Sequence, residues 1–134
     1  MFPPATSLLR AIHERYDDLE LGFHVHNTAG NGLANVLAAK DAGIDFVEGA
    51  ICGIGGGIVT PTSMASVGNL ATEDLVHFLN TMGVETGVST EAVLTAARDV
   101  AQMLDIQSNA FVASCGTRKS IMDEARSHQR FHPA

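Results

Sequence analysis

The chain has 134 residues, 46% of them hydrophobic, and carries 15 acidic against eight basic side chains for a net charge of -7. With a mean hydropathy of +0.14 there is enough apolar material for one core, so a disordered chain is excluded and one domain, or a piece of one, is expected. The negative balance, with no long block of like charge, argues against nucleic acid as a partner, and the longest apolar stretches fall well short of the roughly 18 residues of a spanning helix, so no membrane partner is expected.

After Pro3 and Pro4, the stretch Ser7 to Tyr16 places Leu8, Leu9, Ile12 and Tyr16 near helical period and ends in the acidic turn Asp17-Asp18. That predicts a helix leading into a strand, ELGFHVHNT. In a strand, residues i and i+2 share a face, so His24 and His26 point one way while Leu21, Phe23 and Val25 point the other. Two neighbouring imidazoles could then share one ion. Gly30-Asn31-Gly32 opens a second helix carrying Leu33, Val36, Leu37 and Ala38, closed by Gly43 at a position of positive φ. Ile44 to Ala50 is expected as the next strand. From Cys52 to Gly68 runs a loop rich in Gly, Ser, Thr and Pro, too long for an ordinary connection and so a candidate for function. Thr72 is expected as the N-cap of a helix with Glu73 and Asp74 in its first turn, running to Gly83, and Ser89 with Glu91 starts another through Leu104. Gly116 onward is expected to be a polar tail that frays.

The opening residues lack a basic region followed by an apolar one, so no export signal is expected. Cys52 and Cys115 have no paired spacing, which argues against a disulfide framework and fits a reducing, cytoplasmic setting.

Strands alternating with helices of ten to fifteen residues predict an α/β fold with βαβ units and a parallel sheet. A complete (β/α)8 barrel takes about 250 residues, roughly twice what is present. The expectation is therefore a partial barrel, roughly the last three βα units with C-terminal helices. It would occupy residues 1–115, with 116–134 as the tail. Without further strands, Val25, Phe46 and Val47 would face solvent along an open sheet edge. A homo-oligomer, or completion by a missing N-terminal half-barrel, follows.

The run HVHNTAGNGLANVLAAKDAGIDFVEGAICGIGGG, with GNLATEDLVHFLNTMGVETGV after it, resembles the hydroxymethylglutaryl-CoA lyase branch of the metal-dependent aldolase, lyase and acyltransferase barrels. The resemblance runs from about Pro3 to about Cys115. It is carried by His24, His26, Asn27 and Thr28, by Leu33, Ala34 and Asn35, and most specifically by Gly68 to Val76. It implies a divalent cation, Mg, Mn or Zn, held by His24, His26 and Asn69 together with an Asp from a first barrel strand that has no counterpart in this chain. An Arg beside that Asp is missing as well.

Two further positions carry expectations from the resemblance. Glu48 falls where the family has an acid near the strand end, and the resemblance implies a catalytic role for it and for Gly57 in the lid. The family's glycine-rich lid ends in a catalytic Cys, whereas this chain reads Gly53-Ile54-Gly55-Gly56-Gly57, with Gly57 at the Cys position. The glycines would let the lid hinge and bring backbone N–H groups near an anionic substrate. Strict hydroxymethylglutaryl-CoA specificity is therefore not expected. The resemblance implies a carbon-carbon lyase acting on a 3-hydroxy acyl-CoA or similar hydroxy acid. A 4-hydroxy-2-oxo-acid aldolase, or a non-catalytic fragment of such a barrel, are the alternatives.

Structural explanations compete at each of these residues. His24 and His26 could form a core pair bonded to backbone, Asn69 could cap the helix that starts near Thr72, and Glu48 could be a solvated carboxylate. His13 and His77 read as surface residues, and Cys52 and Cys115 as small buried or tail residues rather than nucleophiles.

Overall fold

The computed structural model describes residues 5–56 and 68–131. Helix α1 (Ala5–Arg15) leads into strand β1 (Gly22–His24), helix α2 (Gly32–Asp41) and strand β2 (Phe46–Glu48). A single 3-10 turn at Ile51–Gly53 follows, then α3 (Thr72–Thr81), α4 (Thr90–Leu104), the short α5 (Phe111–Cys115) and α6 (Arg118–Phe131). The fold is α/β, and among the described residues it holds two strand–helix pairs, β1–α2 and β2–α3, where three were expected.

β1 and β2 pair in parallel, with Gly22 opposite Phe46, Phe23 opposite Val47 and His24 opposite Glu48. Parallel neighbours need a crossover, and α2 supplies it. Its start is held from outside the helix: the Asn27 side-chain oxygen accepts the Gly32 N–H at 2.9 Å, while Asn31 at the N-cap makes no side-chain bond. Its end is a Schellman turn, as Gly43 predicts. Gly43 N donates to Lys40 O and Ile44 N to Ala39 O, with Gly43 at φ +90°. The same device closes α3 through Gly83 and Val84.

Phe23 lies between two apolar clusters. On one side Leu9, Ala39 and Ala42 join α1 to α2; on the other Val25, Val36, Leu70, Leu75 and Leu79 join the strands to α2 and α3. Each fully buried side chain of this size contributes about 1.5–3 kcal/mol. Val25 is therefore core, 3% exposed, and not part of an open edge as expected; Leu70 covers it. Val47 is half-buried, and Phe46 alone of the three stays open, at 53%.

Two boundaries differ from expectation for identifiable reasons. The N-cap of α3 is Ala71, one residue before Thr72. Ala71 is held extended by a bridge to Ala50, and Thr72 N donates to Ala50 O at 2.9 Å, so the sheet replaces the side-chain cap. Beyond Gly116 the chain is helical rather than frayed. Thr117 Oγ1 accepts the Ser120 N–H at 3.1 Å, and neither Gly nor Pro interrupts the residues that follow as far as Phe131. By contrast Ser89 caps α4 as expected, accepting from Ala92 N at 3.2 Å. The Glu91 carboxyl beside it is lowered by its own backbone amide and by the Ser89 hydroxyl.

No helix among the described residues is long and apolar enough to cross a membrane.

Candidate metal centre

The C-terminal ends of β1 and β2 gather the predicted polar residues. Past β1 the chain stays extended to His26, and His24 and His26 stand exposed on one side while Val25 is buried on the other, the alternation expected of a strand. Their rings approach edge to face, centroids 5.1 Å apart at 67°. Across from His26 lies Asn69, joined to it by an antiparallel bridge. Residues directly opposite in such a bridge have neighbouring side chains on one face. The bridge thus sets Asn69 opposite His26, whose ring meets that of His24.

What places Asn69 is the segment 68–72, which crosses the ends of both strands. Asn27 N donates to Gly68 O (2.7 Å), Leu70 N to Val25 O (3.0 Å) and Ala50 N to Leu70 O (3.0 Å). Such close passage requires glycine on both sides. A β-carbon on Gly49 would come within 2.5 Å of Leu70 O, and one on Gly68 would collide with Gly55 O.

The Asn69 amide is oriented. Its Nδ2 donates to Ile54 O at 2.8 Å, which leaves Oδ1 buried with no hydrogen-bond partner among the described residues. It does not cap α3. An orphaned buried acceptor costs about 1–3 kcal/mol, so this oxygen suits a partner beyond the described residues. Glu48, the register partner of His24, accepts its Nδ1–H at 2.9 Å, with both side chains about half exposed.

Imidazole nitrogens and an amide oxygen are donor types that Mg, Mn or Zn accept. The Asp that the resemblance adds has no counterpart in this chain. No group of three or more His, Cys, Asp or Glu able to hold a metal gathers among the described residues. Gly57, expected in the lid, lies outside the described residues.

Glu73 and Asp74 were read only as favourable charges in the first turn of α3, yet both are buried. Glu73 accepts the Cys52 N–H with both oxygens (3.1 and 2.9 Å) and the Ser108 hydroxyl at 3.0 Å. Asp74 accepts the N–H groups of Phe111 and Val112 at 2.9 and 2.8 Å. Together they tie the start of α3 to the turn after β2 and to α5. Cys52 is buried at φ 56°, its Sγ donating to Ala97 O at 3.3 Å, and burial, with the Glu73 charge behind it, pushes its thiol up. That is the environment of an inert thiol. His13 donates Nε2–H to Gly43 O, and His77 is half-buried, accepting from Arg118 N at 3.4 Å.

Comparison with known proteins decides the lineage. The profile of the HMGL-like family matches residues 4–100. The chain belongs to the HMGL-like family. Among curated relatives it is 38% identical over 110 residues to (R)-citramalyl-CoA lyase of Chloroflexus aurantiacus, covering 82% of this chain and 34% of that protein. It is 37% identical over 106 residues to the mitochondrial hydroxymethylglutaryl-CoA lyase of Mus musculus, covering 79% and 32%. Among solved structures, HMG-CoA lyase from Bacillus subtilis superposes with a TM-score of 0.74 at 31% identity, over 82% of this chain and 36% of that one. The Acinetobacter baumannii HMG-CoA lyase, solved with coenzyme A and 3-methylmalate, gives 0.76 at 29% identity over 88% and 38%. This HMGL-like chain therefore spans about a third of the length of the lyases it matches.

Proposed function

We propose that the chain is the metal-holding section of an acyl-CoA carbon-carbon lyase. In this reading residues 1–115 form part of a (β/α)8 barrel whose other strands come from elsewhere in a longer polypeptide or from another chain, and 116–134 are an appendage. The observation that carries it is the buried Asn69 Oδ1, unpartnered among the described residues, on a residue that bridges His26 while the His26 ring meets that of His24. His24 and His26 would hold a divalent cation through neutral ring nitrogens and Asn69 through its amide oxygen. When bound, the cation supplies Lewis-acid stabilisation of the negative charge that develops as a bond next to a carbonyl breaks.

The reaction class sets what the chain must do. In a 3-hydroxy acyl-CoA the C2–C3 bond breaks, the C3 hydroxyl gives up its proton as a carbonyl forms there, and C2 gains a proton. Placing the three donors at the C-terminal ends of the strands puts them where barrels carry their chemistry. The backbone N–H groups of the glycine-rich loop, Gly57 included, lie next in sequence and suit an anionic substrate. With Gly57 at the position of the lid Cys, proton transfer falls to another group, and the (R)-citramalyl-CoA lyase relative supports substrates other than hydroxymethylglutaryl-CoA. A reducing, cytoplasmic setting belongs to this reading, supported by two free cysteines.

A second reading, a fragment that binds metal without turnover, is favoured by coverage of only about a third of the relatives. Two measurements test both. Manganese titration of the chain and of its His26→Ala form is expected to show uptake lost in the variant; equal uptake overturns the ligand assignment. Release of acetyl-CoA from hydroxymethylglutaryl-CoA and citramalyl-CoA is then assayed for the chain alone and with a complementary barrel section. Activity in either case supports the lyase, and none in both supports the fragment.

A further inference from the structure

We infer that Glu48 is a positioning residue, which accepts the Nδ1 proton of His24 and so fixes the imidazole tautomer that leaves Nε2 free for a cation. This rests on the metal reading above. It gives Glu48 a different task from proton exchange with substrate.

Three observations lead to it. The contact is imposed by the sheet, because His24 and Glu48 are register partners on adjacent parallel strands. Their side chains meet at 2.9 Å, Nδ1 to Oε1. A carboxylate is acceptor-only, so it selects the ring form with hydrogen on Nδ1 and excludes the one with a lone pair there. The remaining nitrogen, Nε2, then carries the lone pair. Histidines that ligate metals use their second nitrogen in this way, and the partner fixes ring orientation and raises ligand basicity. Glu48 therefore acts on the cation through His24.

The competing interpretation is a surface ion pair with no further consequence. Half-exposed pairs of that kind contribute little and leave the tautomer to solvent. The two are separable because tautomer and affinity can each be read without turnover. In the metal-free chain, above the ordinary imidazole titration range, long-range proton–nitrogen NMR is expected to find hydrogen on His24 Nδ1. Glu48→Ala is expected to shift His24 toward the Nε2–H form. Free manganese counted by electron paramagnetic resonance is expected to show affinity falling about 10- to 100-fold in Glu48→Ala. In Glu48→Gln, whose amide oxygen still accepts the proton at the same reach, the fall is expected to be smaller. Circular dichroism of each variant establishes folding, and the tautomer of wild-type His24 carries the test if the Ala form does not fold.

If wild-type His24 carries its hydrogen on Nε2, the inference is overturned. It is overturned too if folded Glu48→Ala binds manganese within twofold of wild type while His26→Ala does not bind, and the metal reading then survives. If the wild-type chain takes up no manganese at all, the metal reading falls and this inference with it.

Discussion

Replacing Glu73 by Ala tests whether the two buried acids of α3 hold the site's framework together. Glu73 is 0% exposed and accepts from two donors, the Cys52 N–H shared between its two oxygens and the Ser108 hydroxyl. Hydrogen bonds to a charged group contribute about 1.5–3 kcal/mol each, and a buried donor left without a partner costs about 1–3 kcal/mol. Opposing this, the carboxylate has itself been taken out of water, a penalty that Glu73→Ala removes. The orphaned Cys52 N–H and Ser108 hydroxyl and the small cavity decide the sign. The expected net loss is about 2–4 kcal/mol, a large share of the roughly 5–15 kcal/mol that holds a domain together. Glu73→Gln keeps the shape but turns a donor toward donors, and is expected to lose about half as much.

Urea unfolding followed by far-ultraviolet circular dichroism measures both. A midpoint shift at unchanged slope is expected, since the fold and the surface it buries stay the same. Glu73→Ala should also speed alkylation of Cys52, because the turn at Ile51–Gly53 loses its tether and the thiol loses a neighbouring charge that raises it. A Glu73→Ala chain within about 0.5 kcal/mol of wild type, with Cys52 still protected, would refute the reasoning.

Gly68→Ala is expected to destabilise the chain by more than about 1 kcal/mol and to abolish manganese uptake, because the added carbon collides with the Gly55 carbonyl where segment 68–72 passes; calorimetric melting and metal titration check it. Thiol counting with a small disulfide reagent should find Cys115 reactive in the native chain and Cys52 only in urea, since one is exposed and the other buried. With the folded Cys52 thiol raised, the unfolded chain loses this proton first, so its contribution to stability is present below the ordinary value of 9.0 and declines as pH rises past it. A urea midpoint that rises across that range contradicts the assignment. Phe46, exposed beside a strand edge left unpaired among the described residues, predicts association; light scattering showing a monomer with a sharp two-state melt would overturn it.

The elements legible in the sequence are those with local causes. Helices α3 and α4 follow from apolar period and from punctuation by Gly83 and Ser89, α2 from an apolar run set between Gly32 and Gly43, and the His-x-His face follows from strand alternation alone. Asn69 was found through a motif, because nothing in its neighbours says that it bridges His26 from 43 positions away. The roles of Glu73 and Asp74 were hidden for the same reason. In a helix's first turn an acid reads as a dipole partner, and only the fold reveals that Ser108, Phe111 and Val112 come within reach. Helix α6 was missed because its composition is dominated by charged and polar residues, although Ile121, Met122 and Ala125 mark a narrow apolar stripe and Thr117 was available as its cap.

The placement of Asn69 depends on backbone, and that makes one substitution especially informative. Segment 68–72 is held by N–H and carbonyl groups of Val25, Asn27, Ala50 and Gly55, none of which involves the Asn69 side chain. Asn69→Ala should therefore leave the crossing intact. It removes the Nδ2 bond to Ile54 O, worth about 1 kcal/mol, and also the orphaned Oδ1, whose burial costs about 1–3 kcal/mol. Without metal the variant is expected to be as stable as wild type or slightly more so. Wild type in excess manganese gains stability in proportion to the logarithm of metal over dissociation constant, and the variant should gain far less. A side chain whose loss helps the empty protein and harms the loaded one is kept for its ligand. If Asn69→Ala instead weakens the metal-free chain and leaves the manganese-induced gain unchanged, Asn69 is structural and the site must be sought elsewhere.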